Sequence, residues 1–133
     1  MKPLRAFIVE DSPVIRESLI AMLEEMTPVR VVGTADDEAT AVRSLTDSAK
    51  PVDIAIIDIF LSSGSGLGVL KAMRDSGTEV ERVMLTNYAT DEMRRHCLAL
   101  GAARVFDKSA DIDALVAHCL KRSSSAGPSC LPG

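Results

Sequence analysis

Short unbroken apolar runs and helical apolar stripes take turns along this chain. Leu4–Val9 is an apolar run that stops at Glu10 and Asp11. Ser12-Pro13 then offers an N-cap followed by a proline suited to the first helical position. Ile15, Leu19, Met22, Leu23 and Met26 recur at offsets of 0, 4, 7, 8 and 11, which predicts a helix with one buried stripe. Thr27-Pro28 ends it. Val29, Val31 and Val32 predict a second strand closed by Gly33, and a weaker helix is expected from about Asp37 to Ala49, with Ala39, Val42 and Leu45 inward.

Pro51 opens a third run, Val52–Ile57, broken only by Asp53 and stopping at Asp58. A nearly continuous apolar strand belongs in a sheet covered on both faces, hence parallel and central. Ile59–Gly66 is rich in Ser and Gly and reads as a loop. Leu67–Asp75 then predicts a helix stopped at Gly77, Arg82–Thr86 a strand, and Asp91–Leu100 a helix capped by Gly101. Ala103–Phe106 predicts the fifth strand. A final helix over about Ala110–Arg122 places Ile112, Leu115, Val116, Cys119 and Leu120 on one stripe. Five strands alternating with five helices predict a doubly wound α/β fold of three layers, a parallel sheet with helices on both faces. After Arg122 the composition turns to Ser, Gly and Pro without periodicity, so residues 1–122 are expected to form one domain and 123–133 a flexible tail.

Composition narrows the class of protein. At 133 residues there is room for one domain of ordinary size. Aromatics are 3% and Trp is absent, so the core must come from Leu, Ile, Val, Ala and Met. A net charge of −4 does not favour direct nucleic-acid binding, which needs a concentrated basic patch. No apolar run approaches the length of a membrane span, and the N-terminus lacks the plan of a secretory signal. Cys97, Cys119 and Cys130 have no C-x-x-C spacing and are odd in number, which argues against a disulfide framework and for a reducing, cytoplasmic setting, with Cys97 and Cys119 on the apolar sides of their helices as core packing.

The chemistry is positional. In a parallel α/β sheet the carboxyl ends of the strands share one edge, and ligands bind there. The residues at or just beyond the ends of strands one, three, four and five are Glu10-Asp11, Asp58, Thr86 and Lys108, which converge from positions up to 98 residues apart. Singly, each has a bland explanation: turn former, backbone cap or solvated surface charge. Together they make a site. Clustered carboxylates repel and call for a cation. An all-oxygen ligand set suits Mg²⁺, beside which one carboxylate can act as a nucleophile toward a phosphoryl group. Lys108 and Thr86 can then supply a positive charge and a hydrogen bond to phosphoryl oxygens.

Phe7-Ile-Val-Glu-Asp-Ser-Pro13, Asp53-Ile-Ala-Ile-Ile-Asp-Ile-Phe-Leu61, Leu85-Thr86 and Phe106-Asp-Lys-Ser109 resemble the four signature blocks of response-regulator receiver domains, over about residues 4–122. The resemblance implies a flavodoxin-like, CheY-like strand order of 2-1-3-4-5 and a stand-alone receiver of a two-component or phosphorelay system. It implies Asp58 as phosphoacceptor, with Glu10, Asp11, Asp58 and the Phe60 main-chain carbonyl as Mg²⁺ ligands and with Thr86 and Lys108 on the phosphoryl group. The implied donor is a histidine kinase or histidine phosphotransfer protein. Output is by protein contact with a downstream target, without nucleic acid or membrane, and a homodimer is compatible with it. Only self-phosphorylation and self-dephosphorylation are expected, not turnover of external substrates.

Some positions depart from the family pattern. Ser62 and Ser109 stand where prolines are common. The position three before the lysine, usually an aromatic switch residue, is Val105, and Phe106 beside it should face the opposite side of the strand. Bulky Phe60 and Tyr88 near the site are expected to shield an acyl phosphate from water. The helix bearing Arg94, Arg95 and His96 is a candidate partner face. Two rivals follow: a pseudo-receiver working without phosphorylation, and a haloacid-dehalogenase-type phosphohydrolase. The latter needs a second acid two residues after its nucleophile, where this chain has Phe60.

Overall fold

The structure, a computed structural model, describes residues 3–47 and 49–125. Strands β1 (Leu4–Val9), β2 (Val29–Ala35), β3 (Ile54–Ile57), β4 (Glu81–Thr86) and β5 (Arg104–Asp107) alternate with helices α1 (Pro13–Met26), α2 (Glu38–Leu45), α3 (Gly66–Ser76), α4 (Asp91–Ala99) and α5 (Ile112–Ser125). All pairings are parallel and the strand order is β2-β1-β3-β4-β5, the expected flavodoxin-like arrangement.

Period-two alternation sends successive strand residues to opposite faces, and each face has its own core. Leu4, Ala6, Ile8, Ile54, Ile56, Val83, Leu85 and Phe106 pack with Leu19 and Leu23 of α1 and Leu115 and Cys119 of α5. Phe7, Val9, Ala55, Ile57, Met84 and Val105 pack with α2, α3 and α4 through Ala41, Leu45, Val69, Leu70, Met73 and Cys97. β3 is buried along its whole length, as the apolar run predicts. Val105 and Phe106 do lie on opposite faces.

Caps set most helix starts. Ser12, Asp37, Ser65 and Thr90 each accept a backbone N–H from the first turn of α1, α2, α3 and α4. Gly77 and Gly101, with φ of 73° and 107°, turn the chain out of α3 and α4.

The differences from expectation have local causes. β2 does not close at Gly33 but continues to Ala35, through a register shift opposite Ala6 and Phe7 that leaves Val32 exposed. Gly33 is there because a Cβ would lie 2.7 Å from the Phe7 ring. α2 ends at Leu45, not Ala49, because Thr46 turns its hydroxyl back to the Val42 carbonyl and Asp47 accepts the Ala49 amide. Ala41 rather than Ala39 is the buried alanine of α2. In α1 the expected stripe is cut short at both ends: Leu19 and Leu23 are buried, while Ile15 and Met26 are exposed. β3 begins at Ile54 rather than Val52. Asp53 before it accepts the Arg5 amide and guanidinium at 2.8–3.1 Å, tying the starts of β1 and β3. The last helix starts at Ile112 and runs to Ser125, past the expected end at Arg122, with Ser123 fully buried. Cys130 and the expected tail beyond Ser125 lie outside the described residues.

Cys97 and Cys119 are both buried thiols in the two cores. Burial pushes the Cys119 thiol up to about 11, helped by the Glu81 charge. The unfolded chain gives up that proton near pH 8.5, so stability from this group is present below about 8.5 and is lost as pH rises toward about 11. Urea unfolding across this window should therefore show a fall on the order of 2–3 kcal/mol that Cys119→Ala lacks. Equal slopes in both proteins would contradict it.

Candidate functional site

The site forms where β1, β3, β4 and β5 run out. Backbone bonds tie these ends to their neighbours: the Asp58 amide donates to the Val9 carbonyl of β1, the Glu10 amide to Ala35 of β2 and the Lys108 amide to Thr86 of β4, at 2.9–3.0 Å. Each chain then turns into a loop with its polar side chain at the edge.

Lys108 organises the charge. Its Nζ donates to Glu10 Oε1 at 2.5 Å and to Asp58 Oδ2 at 3.0 Å, with side-chain exposures of 12% for the lysine, 3% for Glu10 and 10% for Asp58. Three strand ends thus meet at one ammonium. Burial by itself would push that ammonium's pKa down, but the two carboxylates outweigh it through hydrogen bonds and charge, and Lys108 is held above its ordinary value. Glu10 is held in turn: its Oε2 accepts the Ser12 amide at 3.1 Å, and Arg16 donates to its carbonyl at 2.9 Å. Ser12 therefore caps α1 and also orients the acid beside it, a second role the sequence did not reveal.

Glu10, Asp11 and Asp58 each offer a carboxylate oxygen, and these all lie within 4.8 Å of one another. Two of the three residues are buried. An all-oxygen donor set of this charge, with Asp11 on the solvent side, fits a hard divalent cation that keeps some of its water. The fit rests on these acids together with the lysine that balances two of them.

Thr86 is fully buried, and its hydroxyl oxygen accepts the Tyr88 amide at 3.2 Å, leaving its own hydrogen to donate. Phe60 and Tyr88, two residues past Asp58 and Thr86, are exposed at 55% and 61%. Their rings pack edge to face with centroids 5.2 Å apart. Gly66 opens α3 directly under the site, where a Cβ would collide with the Asp58 carbonyl oxygen. Gly66→Ala is accordingly expected to cost about 1–3 kcal/mol and to displace Asp58. A melting temperature equal to that of the unchanged protein would contradict this reading.

The loop after Lys108 owes its shape to acids rather than to a proline. Asp107 accepts the Ser109 amide and hydroxyl and the Ala110 amide at 2.7–3.0 Å, and Asp111 accepts the Asp107 amide at 2.9 Å. Those backbone bonds, the one from Ser109 foremost, hold the Asp107 carboxyl below its ordinary value. Every peptide bond among the described residues is trans.

On the fourth helix, expected as a candidate partner face, the Arg94 guanidinium is engaged within the chain. It donates to the Ala89 carbonyl at 3.1 Å, the Val105 carbonyl at 2.7 Å and Asp111 Oδ2 at 3.1 Å, linking the loop after Thr86 to the loop after Lys108. Arg95 and His96 remain exposed on that helix. No helix of the described residues is long and apolar enough to cross a membrane.

The profile of the response regulator receiver domain matches residues 6–120. Among curated proteins, the chain is 31% identical over 98 residues to the transcriptional regulatory protein YdfI of Bacillus subtilis, covering 74% of this chain and 45% of that protein. It is 28% identical over 100 residues to the DNA-binding transcriptional activator DevR/DosR of Mycobacterium tuberculosis, covering 75% and 45%. The chain thus spans about half the length of the curated relatives it matches. Among solved structures, the signal receiver domain of a response regulator designated NarL, from M. tuberculosis, superposes with a TM-score of 0.81 at 24% identity, covering 92% of this chain and 98% of that one. With the profile spanning nearly all of the described residues, the chain belongs to the response regulator receiver domain family of two-component systems.

Proposed function

We propose that Asp58 accepts a phosphoryl group from a phosphohistidine donor, a histidine kinase or a histidine phosphotransfer protein, at a Mg²⁺ site formed by Glu10, Asp11, Asp58 and the Phe60 carbonyl. The observation that carries this is the placement of Lys108 Nζ against both Glu10 and Asp58, within an acidic group whose oxygens lie within 4.8 Å of one another. When bound, the cation would neutralise charge shared between the carboxylate and the phosphoryl oxygens.

The chain's own residues do the rest. An Asp58 carboxylate oxygen forms the new bond to phosphorus as the donor's N–P bond breaks and the imidazole keeps the electron pair. Lys108 is already in contact with Asp58, so its ammonium needs only a small swing to reach a phosphoryl oxygen. The buried Thr86 hydroxyl supplies a hydrogen bond to another oxygen, which draws on the loop carrying Tyr88. Phosphorylation adds about −1.5 to −2 charge. Through Thr86, Tyr88 and the Arg94 bonds, that charge biases α4 and β5 as a shift between two populated arrangements, read out by contact with a downstream protein. Val105 gives no aromatic for the usual switch, which leaves the Arg94 bridge as the stronger link on this side.

This reading limits catalysis to the protein's own phosphorylation and dephosphorylation. The phosphohydrolase alternative finds Phe60 where it needs an acid, with that ring turned onto Tyr88. Incubation with acetyl phosphate and Mg²⁺ should add one phosphoryl group by intact mass, and Asp58→Ala should add none, while a generic phosphate ester is not turned over. An unmodified mass in the unchanged protein would favour the phosphorylation-independent pseudo-receiver, and steady ester hydrolysis would favour the hydrolase.

A further inference from the structure

The loop from β3 to α3 is fastened to the start of α2, most directly through the Glu38 side chain. Glu38 Oε1 accepts the Ser65 amide at 2.9 Å, and the Glu38 amide donates to the Ser63 carbonyl at 3.0 Å. Alongside, the Ser62 hydroxyl donates to the Asp36 carbonyl at 3.1 Å. Ser65 is the pivot of the loop. It pairs with Phe60 as an isolated antiparallel bridge, caps α3 by accepting the Leu67 amide at 3.0 Å, and donates its hydroxyl to Ile59 at 3.3 Å.

Space has been cleared for this contact. A Cβ at Gly64 or at Gly68 would collide with the Glu38 side chain, at Gly68 with its carboxylate. Gly68 lies inside α3, where glycine is otherwise a poor choice. Two glycines and one glutamate thus form a single fitted unit, although Glu38 lies outside the group of acids around Asp58.

We propose that Glu38 is a positioning residue for the cation end of the site. By holding Ser65 it fixes the Phe60–Ser65 pair, and with it the Phe60 carbonyl. The proposal rests on the reading of that carbonyl as a Mg²⁺ ligand. Residues that orient ligands from behind typically change metal affinity by about 10–100-fold when removed. A ligand on a Ser- and Gly-rich loop is where such support matters, because an untethered loop must be ordered at the moment of binding.

Mg²⁺ titration of the full chain by calorimetry tests it, with the melting temperature of each metal-free variant as a check on folding. Glu38→Ala should bind Mg²⁺ about tenfold more weakly or worse. Glu38→Gln keeps the Oε1 acceptor and should stay close to the unchanged protein. Gly68→Ala evicts the carboxylate from the other side and should match Glu38→Ala. Combining the two should add no further loss, since both remove the same contact. Should Glu38→Ala fail to fold, Gly68→Ala carries the decision. Undiminished affinity in the folded single variants overturns the proposal. So does a Glu38→Gln as weak as Glu38→Ala, which would assign the effect to charge alone. No Mg²⁺ binding by the unchanged protein, or Mg²⁺ binding indifferent to Asp11→Asn, would instead overturn the metal reading and the proposal with it.

Discussion

Replacing Lys108 by alanine is expected to destabilise the metal-free protein by about 3 kcal/mol and to slow phosphorylation of Asp58 by about a hundredfold or more. The stability loss follows from burial. Glu10 and Asp58 expose 3% and 10% of their side chains, and Lys108 is the ammonium they share. Removing it leaves two carboxylates facing each other out of water, which costs more than the pair itself contributes. The rate loss follows from the second role proposed for the same atom, as a preorganised charge beside the phosphoryl oxygens. The two effects separate on adding Mg²⁺: the cation should restore much of the lost stability but not the rate. Lys108→Arg should likewise recover stability better than rate, since a planar fork cannot reproduce a point charge at that spot. Thermal melts with and without Mg²⁺, beside acetyl phosphate labelling rates, check both. A Lys108→Ala protein that melts with the unchanged one would contradict the account of the buried pair.

The second large effect concerns the lifetime of the product. Phe60 and Tyr88 lean on each other edge to face, 5.2 Å between centroids, each two residues from a group proposed to hold the phosphoryl moiety. Rings placed there are expected to obstruct the in-line approach of water to an acyl phosphate at Asp58. Phe60→Asn combined with Tyr88→Glu removes both rings and offers polar groups that can hold a water. The decay of phosphorylated Asp58 is expected to accelerate on the order of tenfold, equivalent to lowering the barrier by about 1.4 kcal/mol. Each single variant should give part of this, because each ring supports the other. Decay followed by intact mass, after removal of the donor, provides the measurement; an unchanged lifetime in the double variant would sink the shielding idea.

Most of this site could be read from the sequence because strand ends are easy to find. An apolar run that stops at Asp58, and another that stops at Glu10-Asp11, mark both the element and the edge it reaches. Once the sheet is parallel, those edges must coincide. Less visible were the limits of packing. The α1 stripe runs from Ile15 to Met26, yet periodicity states only which side faces the sheet, not how far the sheet extends beneath it. Leu19 and Leu23 are covered while both ends of the stripe project. Gly33 reads as a strand end because glycine usually interrupts strands. Its actual cause, the Phe7 ring on the neighbouring strand, is a tertiary contact without a local signal.

Long polar side chains were the hardest to place. Arg94 reads as one member of a basic helical face, but it reaches three acceptors on two loops and a strand. Asp111 and Glu38 look like ordinary acids near helix starts. Each instead binds a segment elsewhere in the chain, and pattern along the chain cannot report that pairing. A signal for Glu38 did exist in Gly68, a glycine inside a predicted helix with no turn to explain it.

The central claim is that the carboxylate of Asp58 is the atom group that becomes phosphorylated. Borohydride reduces an aspartyl phosphate to homoserine, so labelling with acetyl phosphate and Mg²⁺, reduction, and peptide mass mapping reads the position directly. Homoserine at position 58, much reduced at equal labelling time when Lys108 is replaced by alanine, is the predicted result. Homoserine at Glu10's neighbour Asp11 or at any other aspartate, or none at all beside a phosphorylated intact mass, would contradict the account.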